Sequence, residues 1–244
     1  MRRRDSPPAP SRTALLPPDG WRAPAFGGIA GFVDAVGFVA LFGVFTANMS
    51  GNSARLGVEL GEGNLGVALT RLVPLVAWAL VVTVAVVWIE VRRPTAHEPL
   101  PRLLMIEAAF VTAFMVVGTV WRDDGALRPE SGAYYVLVVL AVVAMGVQTA
   151  TVRRVADSSV HTTFVSGMIV ALAEQLARVR RERGPDRDPE LVPRARMHAA
   201  LILAYIVGAA IGAAALLEIG LWCLGAPIVA LIALAGGTVR GSWR

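Results

Sequence analysis

The 244-residue sequence contains no lysine; all 23 of its basic residues are arginine, set against 18 acidic residues. With alanine, valine and glycine abundant, that bias points through codon usage to a GC-rich bacterial genome. There is a single cysteine, Cys223. This excludes an internal disulfide and a cysteine-built metal cluster, and leaves a small apolar helix residue. Charge is also scarce. Charged residues make up 17% of the chain, against roughly 25% in a soluble domain, and most are gathered into a few short stretches. Phosphate-binding loops, dinucleotide fingerprints, zinc spacings and nucleophile elbows are all missing. The sequence therefore points to no enzyme, no cofactor and no metal. The formal net charge of +5 does not suggest nucleic acid, because the arginines flank apolar segments and form no basic face.

What the chain has in quantity is apolar sequence, 55% of all residues, in runs that match the roughly 20 helical residues needed to cross a hydrocarbon core. The expected fold is an all-α membrane protein with about six transmembrane helices and two partial or broken helices. Residues 1–24, rich in proline and arginine, read as a disordered cytoplasmic tail. Leu15-Leu16 is too short an apolar core for a signal peptide. Spans are expected at Ala25–Val44, Leu69–Val91, Leu103–Trp121, Gly132–Val152, Met197–Leu217 and Ile219–Gly237, the last two joined by a tight turn near Glu218–Gly220. Arginine-rich stretches at 92–102 and 178–196, with both termini, place those segments in the cytoplasm and the protein in the bacterial inner membrane as a multi-pass chain.

Two small polar stretches interrupt this pattern. Thr46-Ala-Asn-Met-Ser-Gly-Asn52 follows the first span, and His161-Thr-Thr-Phe-Val-Ser-Gly167 follows the fourth. Each reads as the end of one membrane helix and the start of a partial one, reaching Gly61 in the first case and Ala177 in the second. With Ser50-Gly51 laid on Ser166-Gly167, Thr46 falls on Thr162, Leu56 on Leu172 and Leu60 on Leu176. Upstream, Gly31-Phe-Val-Asp34 lies near Gly146-Val-Gln148. Downstream, Ala77-Trp78 resembles Ala204-Tyr205. The chain thus divides into membrane repeats at 25–121 and 132–238. An odd number of crossings in each half makes them two inverted three-span repeats, an arrangement used by many secondary transporters. Small residues shared for helix packing would produce part of the same likeness.

Asp34 stands within the first span with no charged neighbour in sequence. A carboxylate at that depth usually faces a partner or a cavity. It reads either as an ion, proton or substrate contact or as a structural group tying the span to the break. Gln148 is its approximate mate. Asn48, Ser50 and Asn52 offer amides and a hydroxyl at the first break, and Asn48 or Ser50 also suits a helix N-cap. Thr46, Thr162, Thr163 and Ser166 complete the candidate set, with His161 read as a surface residue. Arg55 and Glu59 are spaced to pair along one helix face. Glu107, five residues after Arg102, is expected near the interface. Gly27–Gly31 and Gly208–Gly212 are spaced as helix-packing faces, and Pro74 and Pro227 mark expected kinks.

The Gly31-Phe-Val-Asp34 start, the Thr46-Ala-Asn-Met-Ser-Gly-Asn52 break, and Gly146-Val-Gln-Thr-Ala150 followed by Thr162-Thr-Phe-Val-Ser-Gly-Met168 resemble the YoaK-like bacterial membrane proteins, grouped as domain of unknown function 1275. The resemblance covers about residues 25–238. It implies a polytopic inner-membrane protein and no particular activity. Arg55 departs from the apolar stretch expected after the first motif. The functional expectation is a small-molecule or ion transporter with a midplane site between the two broken helices. The other reading is a non-transporting sensor or assembly partner. The expected partners are the lipid bilayer, an unknown small solute or ion and, in some assemblies, a second copy of the chain as a homo-oligomer.

Overall fold

The computed structural model describes residues 22–92, 99–155, 165–182 and 188–239. Among them the chain forms eight α-helices and one 3-10 turn. These are α1 (Arg22–Ala40), α2 (Met49–Gly61), α3 (Leu65–Arg92), α4 (Pro99–Asp123), α5 (Gly132–Val155), α6 (Val165–Arg181), α7 (Leu191–Ile219) and α8 (Gly225–Val239), with the 3-10 turn at Gly220–Leu224 between α7 and α8. Five stretches are long and apolar enough to cross a membrane: 23–40, 65–91, 101–123, 132–151 and 191–237. The protein is a multi-span transmembrane helical protein.

The helix ends differ from the expected spans in instructive ways. α1 stops at Ala40, short of Val44. Phe42 and Gly43 both take positive φ, 52° and 80°, and the Gly43 amide turns back to the Phe38 carbonyl at 2.7 Å. That six-to-one bond is a Schellman-type ending, with phenylalanine where glycine is the usual occupant. α7 begins at Leu191, so its first turns occupy part of the stretch read as loop, and Arg178, Arg180 and Arg181 lie in the last turn of α6. Residues 1–21 of the tail and 183–187 of the basic loop fall outside the described residues. The sixth span is corrected most. Gly220, with φ 62°, opens a 3-10 turn that carries the chain past the expected tight turn at Glu218–Gly220, and α8 starts only at Gly225 with 15 residues. At 1.5 Å per residue that is about 22 Å. Pro227 stands in its first turn, where a missing N–H costs little; Pro74 stands inside α3.

Glycine decides how the helices meet. α1 and α7 run parallel and in close contact: Gly27 faces the Leu201 carbonyl, Gly31 the backbone of Tyr205, and Gly208 that of Gly28, while Gly212 meets Phe32. A side chain at Gly31, Gly208 or Gly212 would strike backbone and one at Gly27 would crowd it, so the two GxxxG spacings are one interface seen from both sides. Elsewhere α3 lies against α5, α2 against α3, α6 against α7, and α4 against both α5 and α8. α1 and α5 form the interior, with 61% and 67% of their apolar windows buried, against 17% for the α3 window and for the 191–237 stretch. The exposed surface of α3 is apolar, including Leu80, Val84 and Val87. In water such a surface would be a liability; against lipid it is the expected one.

Candidate functional site

The first break is a knot of internal hydrogen bonds. Beyond the end of α1 the chain turns at 41–43 and reaches Asn48 without helix, so the amides of residues 45–47 have no helical carbonyl to bond. Asp34, one and a half turns before the end of α1, supplies the acceptor. Its Oδ1 accepts the Thr46 amide at 2.7 Å, the Ala47 amide at 2.7 Å and the Thr46 hydroxyl at 3.0 Å. Its Oδ2 accepts the Tyr205 hydroxyl of α7 at 2.6 Å. The side chain of Asn52 reaches back from α2, accepting the Phe45 amide at 3.1 Å and donating to the Phe45 carbonyl at 2.7 Å. Asn48 caps α2: its Oδ1 accepts the Gly51 amide at 3.3 Å and the Ser50 hydroxyl at 2.8 Å. Asp34, Thr46 and Asn52 are buried, and Ser50 is exposed. Each buried polar atom of the motif thus finds a donor or acceptor within the protein, as burial demands.

Two arginines close the other side of the knot. Arg55 Nη1 donates to the Gly43 carbonyl at 2.6 Å, and Arg71 Nη1 donates to the same oxygen at 2.9 Å. Arg71 is buried, and its second nitrogen reaches the Phe42 carbonyl at 3.4 Å. Arg55 therefore serves the Gly43 carbonyl in the turn that follows α1. This corrects the expected pairing with Glu59, which instead accepts from Asn64 at 3.4 Å. Arg71, which the sequence analysis did not single out, joins α3 to the break.

The second break is described only from Val165 onward, so Thr162 and Thr163, with His161, lie outside the described residues. Ser166 stands exposed in the first turn of α6. Gln148, the mate assigned to Asp34, is fully buried in α5. Unlike Asp34 it has no hydrogen-bond partner for either amide atom.

Glu107 contradicts its expected place at the interface. It is 0% exposed, and neither carboxyl oxygen has a hydrogen-bond partner among the described residues. Its burial follows from its register. Leu104, Glu107, Val111, Phe114 and Gly118 recur at three- and four-residue steps along the inward seam of α4, and all are buried. That periodicity is the signal that would have found it. Gly118 of α4 faces Leu221 of the 3-10 turn and, next to it, Leu137 of α5. Glu107 precedes Gly118 by eleven residues, and Gln148 follows Leu137 by eleven. Eleven residues are close to three helical turns, so in this antiparallel pair Glu107 and Gln148 return to the facing sides at one level. Beside them, between α3, α4 and α5, lies an apolar cavity of about 400 Å³ lined in part by Leu103, Ile106, Val143, Val147 and Trp88. Among the described residues no three His, Cys, Asp or Glu side chains gather as a metal site.

Comparison with known proteins places the chain without assigning it a reaction. The chain is 26% identical over 149 residues to the UPF0700 transmembrane protein YoaK of Bacillus subtilis (strain 168), an alignment that takes in 61% of this chain and 63% of the relative. The chain thus spans about 63% of the length of that curated relative. No solved structure matches. The family model described as "Protein of unknown function (DUF1275)" matches residues 25–237, nearly all of the membrane part, and the protein belongs to this family.

Proposed function

We propose that the protein is a transporter of a small solute or ion in the bacterial cytoplasmic membrane, built from two inverted three-span repeats with both termini cytoplasmic. The observation that carries this reading is the way the helices exchange partners. If α1, α2, α3 and α4 correspond to α5, α6, α7 and α8, most of the main contacts have counterparts; the exception is α4 on α5, whose counterpart, α8 on α1, is slight. α1 lies on α7 as α5 lies on α3, α2 lies on α3 as α6 lies on α7, and the α4–α8 contact maps onto itself. The two inner helices correspond to each other, as do the lipid-facing stretches. Repeats related in this way place a binding site near mid-membrane, where irregular backbone is tolerated against a cavity. The Asp34–Tyr205 bond joins the first break to the second repeat, and it is the one bond to Asp34 that can open without undoing the break. The reading assigns no catalytic step and no cofactor, and it allows a homo-oligomer.

A second reading, a non-transporting sensor or assembly partner, is favoured by the internal satisfaction of the first break, which leaves Asp34 and Asn52 fully occupied as structural groups. Purified protein in liposomes separates the two. Transport predicts saturable counterflow of at least one solute or ion from a broad panel. No flux from folded protein across that panel would favour the sensor or assembly reading. Sidedness is tested with Ser50→Cys and Ser166→Cys in a Cys223→Ala background. Impermeant thiol reagents should reach position 50 from outside and position 166 from the cytoplasm; labelling of both from one face sinks the inverted arrangement.

A further inference from the structure

We propose that Glu107, together with Gln148, forms a site for a single small cation, a proton or a desolvated alkali ion, inside the membrane between α4 and α5. The inference rests on the transport reading for its purpose, since it supplies the coupling group, but the site itself is argued from geometry. Two side chains that are 0% exposed carry four polar atoms, none of which has a partner among the described residues, and helical register counted from Gly118 and Leu137 puts the two at about one level of the α4–α5 pair. An isolated carboxylate in a hydrocarbon-depth interior is strongly disfavoured, and such residues in membrane helices are paired, neutralised by a bound cation, or lie on an ion pathway.

The surroundings leave a cation as the natural occupant. α4 lies against α5, α8 and the 3-10 turn. α8 carries no ionisable side chain, and the turn carries only Cys223. On α5 the ionisable residues are Tyr134 and Tyr135 near its start and Arg153 and Arg154 beyond Gln148. On α4 itself Arg102 is exposed, as are Arg122 and Asp123 at the opposite end. No described basic side chain therefore bonds to Glu107, while the Gln148 carbonyl oxygen can share a cation with the carboxyl group and its amide nitrogen can donate to it. The neighbouring apolar cavity brings the groove between α3, α4 and α5 to within one layer of side chains of the pair, since Leu103 and Ile106 flank Glu107 and Val147 precedes Gln148. Leu80, Val84 and Ile106 of the groove lining are exposed, so a hydrophobic reagent dissolved in the lipid can enter the groove.

The test uses dicyclohexylcarbodiimide, a membrane-soluble reagent that adds to a protonated carboxyl and leaves a stable acylurea. Full-length protein in detergent or liposomes is treated at a series of pH values with sodium, lithium, potassium or a bulky organic cation, and labelled peptides are mapped by mass spectrometry. A single adduct at Glu107, lost at least tenfold on raising the pH, supports the site. If an alkali ion at fixed pH also protects, the occupant is that ion; if only alkali pH protects, it is the proton. Gln148→Leu should keep the adduct and shift the protecting pH or concentration. A Glu107→Gln protein that folds normally should lose the adduct. Absence of labelling at Glu107 under all conditions in folded protein, or labelling insensitive to both pH and cations, overturns the proposal. Labelling with protection but without flux in liposomes leaves the site standing and removes the transport reading.

Discussion

Asp34 and Glu107 are both buried carboxyl groups on membrane-spanning helices, and the fold treats them in opposite ways. Asp34 accepts four hydrogen bonds, two of them from backbone amides of the break. Glu107 accepts none. The cause is where each sits relative to a helix end. Inside an α-helix the amides are consumed by carbonyls four residues earlier, so a side chain in mid-helix finds no backbone donors on its neighbours. In a break between helices the amides have no such carbonyl and favour another acceptor. Asp34 is carried on α1 to the free amides of Thr46 and Ala47; Glu107 stands within the uninterrupted helix α4. The comparison separates a carboxyl that holds structure from one that the structure must neutralise by other means.

The largest test of that contrast is Asp34→Ala. It strands two amides and two hydroxyls, and because each orphaned buried group costs about 1–3 kcal/mol, the variant should lose at least about 4 kcal/mol. Unfolding by heat or graded sodium dodecyl sulfate in micelles would measure it, and an unchanged midpoint would erase the structural role of Asp34. Next comes Gly31→Leu, which places a side chain against the Tyr205 backbone and should cost about 1–3 kcal/mol while breaking the Asp34–Tyr205 alignment; wild-type stability would mean that α1 and α7 do not meet here. Glu107→Leu sharpens the comparison through its sign. Replacing an unpaired buried carboxyl by an apolar side chain should leave stability unchanged or raise it by about 1–2 kcal/mol, and a clear loss would show that Glu107 has a structural partner. The smallest effects belong to Ser50→Cys and Ser166→Cys. Both positions are exposed, so each should stay within about 0.5 kcal/mol of the Cys223→Ala background.

Much of the frame was legible along the chain. Long apolar runs flanked by arginine place the spans, because only helices satisfy the backbone in lipid. The polar motif after α1 announces a helix stop, since Asn48 has the chemistry of an N-cap. The paired glycine spacings announce a close helix contact, though not that each would be the other's partner. The family follows from the same motifs. Boundaries were less legible. The positive φ of Phe42 ends α1 early, and neither α7's start at Leu191 nor the 3-10 turn before α8 is marked by a composition change.

The site was harder to read because its meaning depends on which faces meet. A lone Asp in an apolar run and a Glu five residues from an Arg look alike as intramembrane acids, and the sequence favours the first as functional and the second as interfacial. Only the packing of α4 against its neighbours turns Glu107 inward, and only the fold of the break gives Asp34 its donors. Sequence alone determined that this chain spans a membrane as helices interrupted by polar breaks, because hydropathy and backbone satisfaction are local properties of a run of residues. Tertiary structure alone decided which buried polar groups are satisfied, because a hydrogen-bond partner in a helical membrane protein comes from another element, as Tyr205 does for Asp34 across 171 residues of sequence.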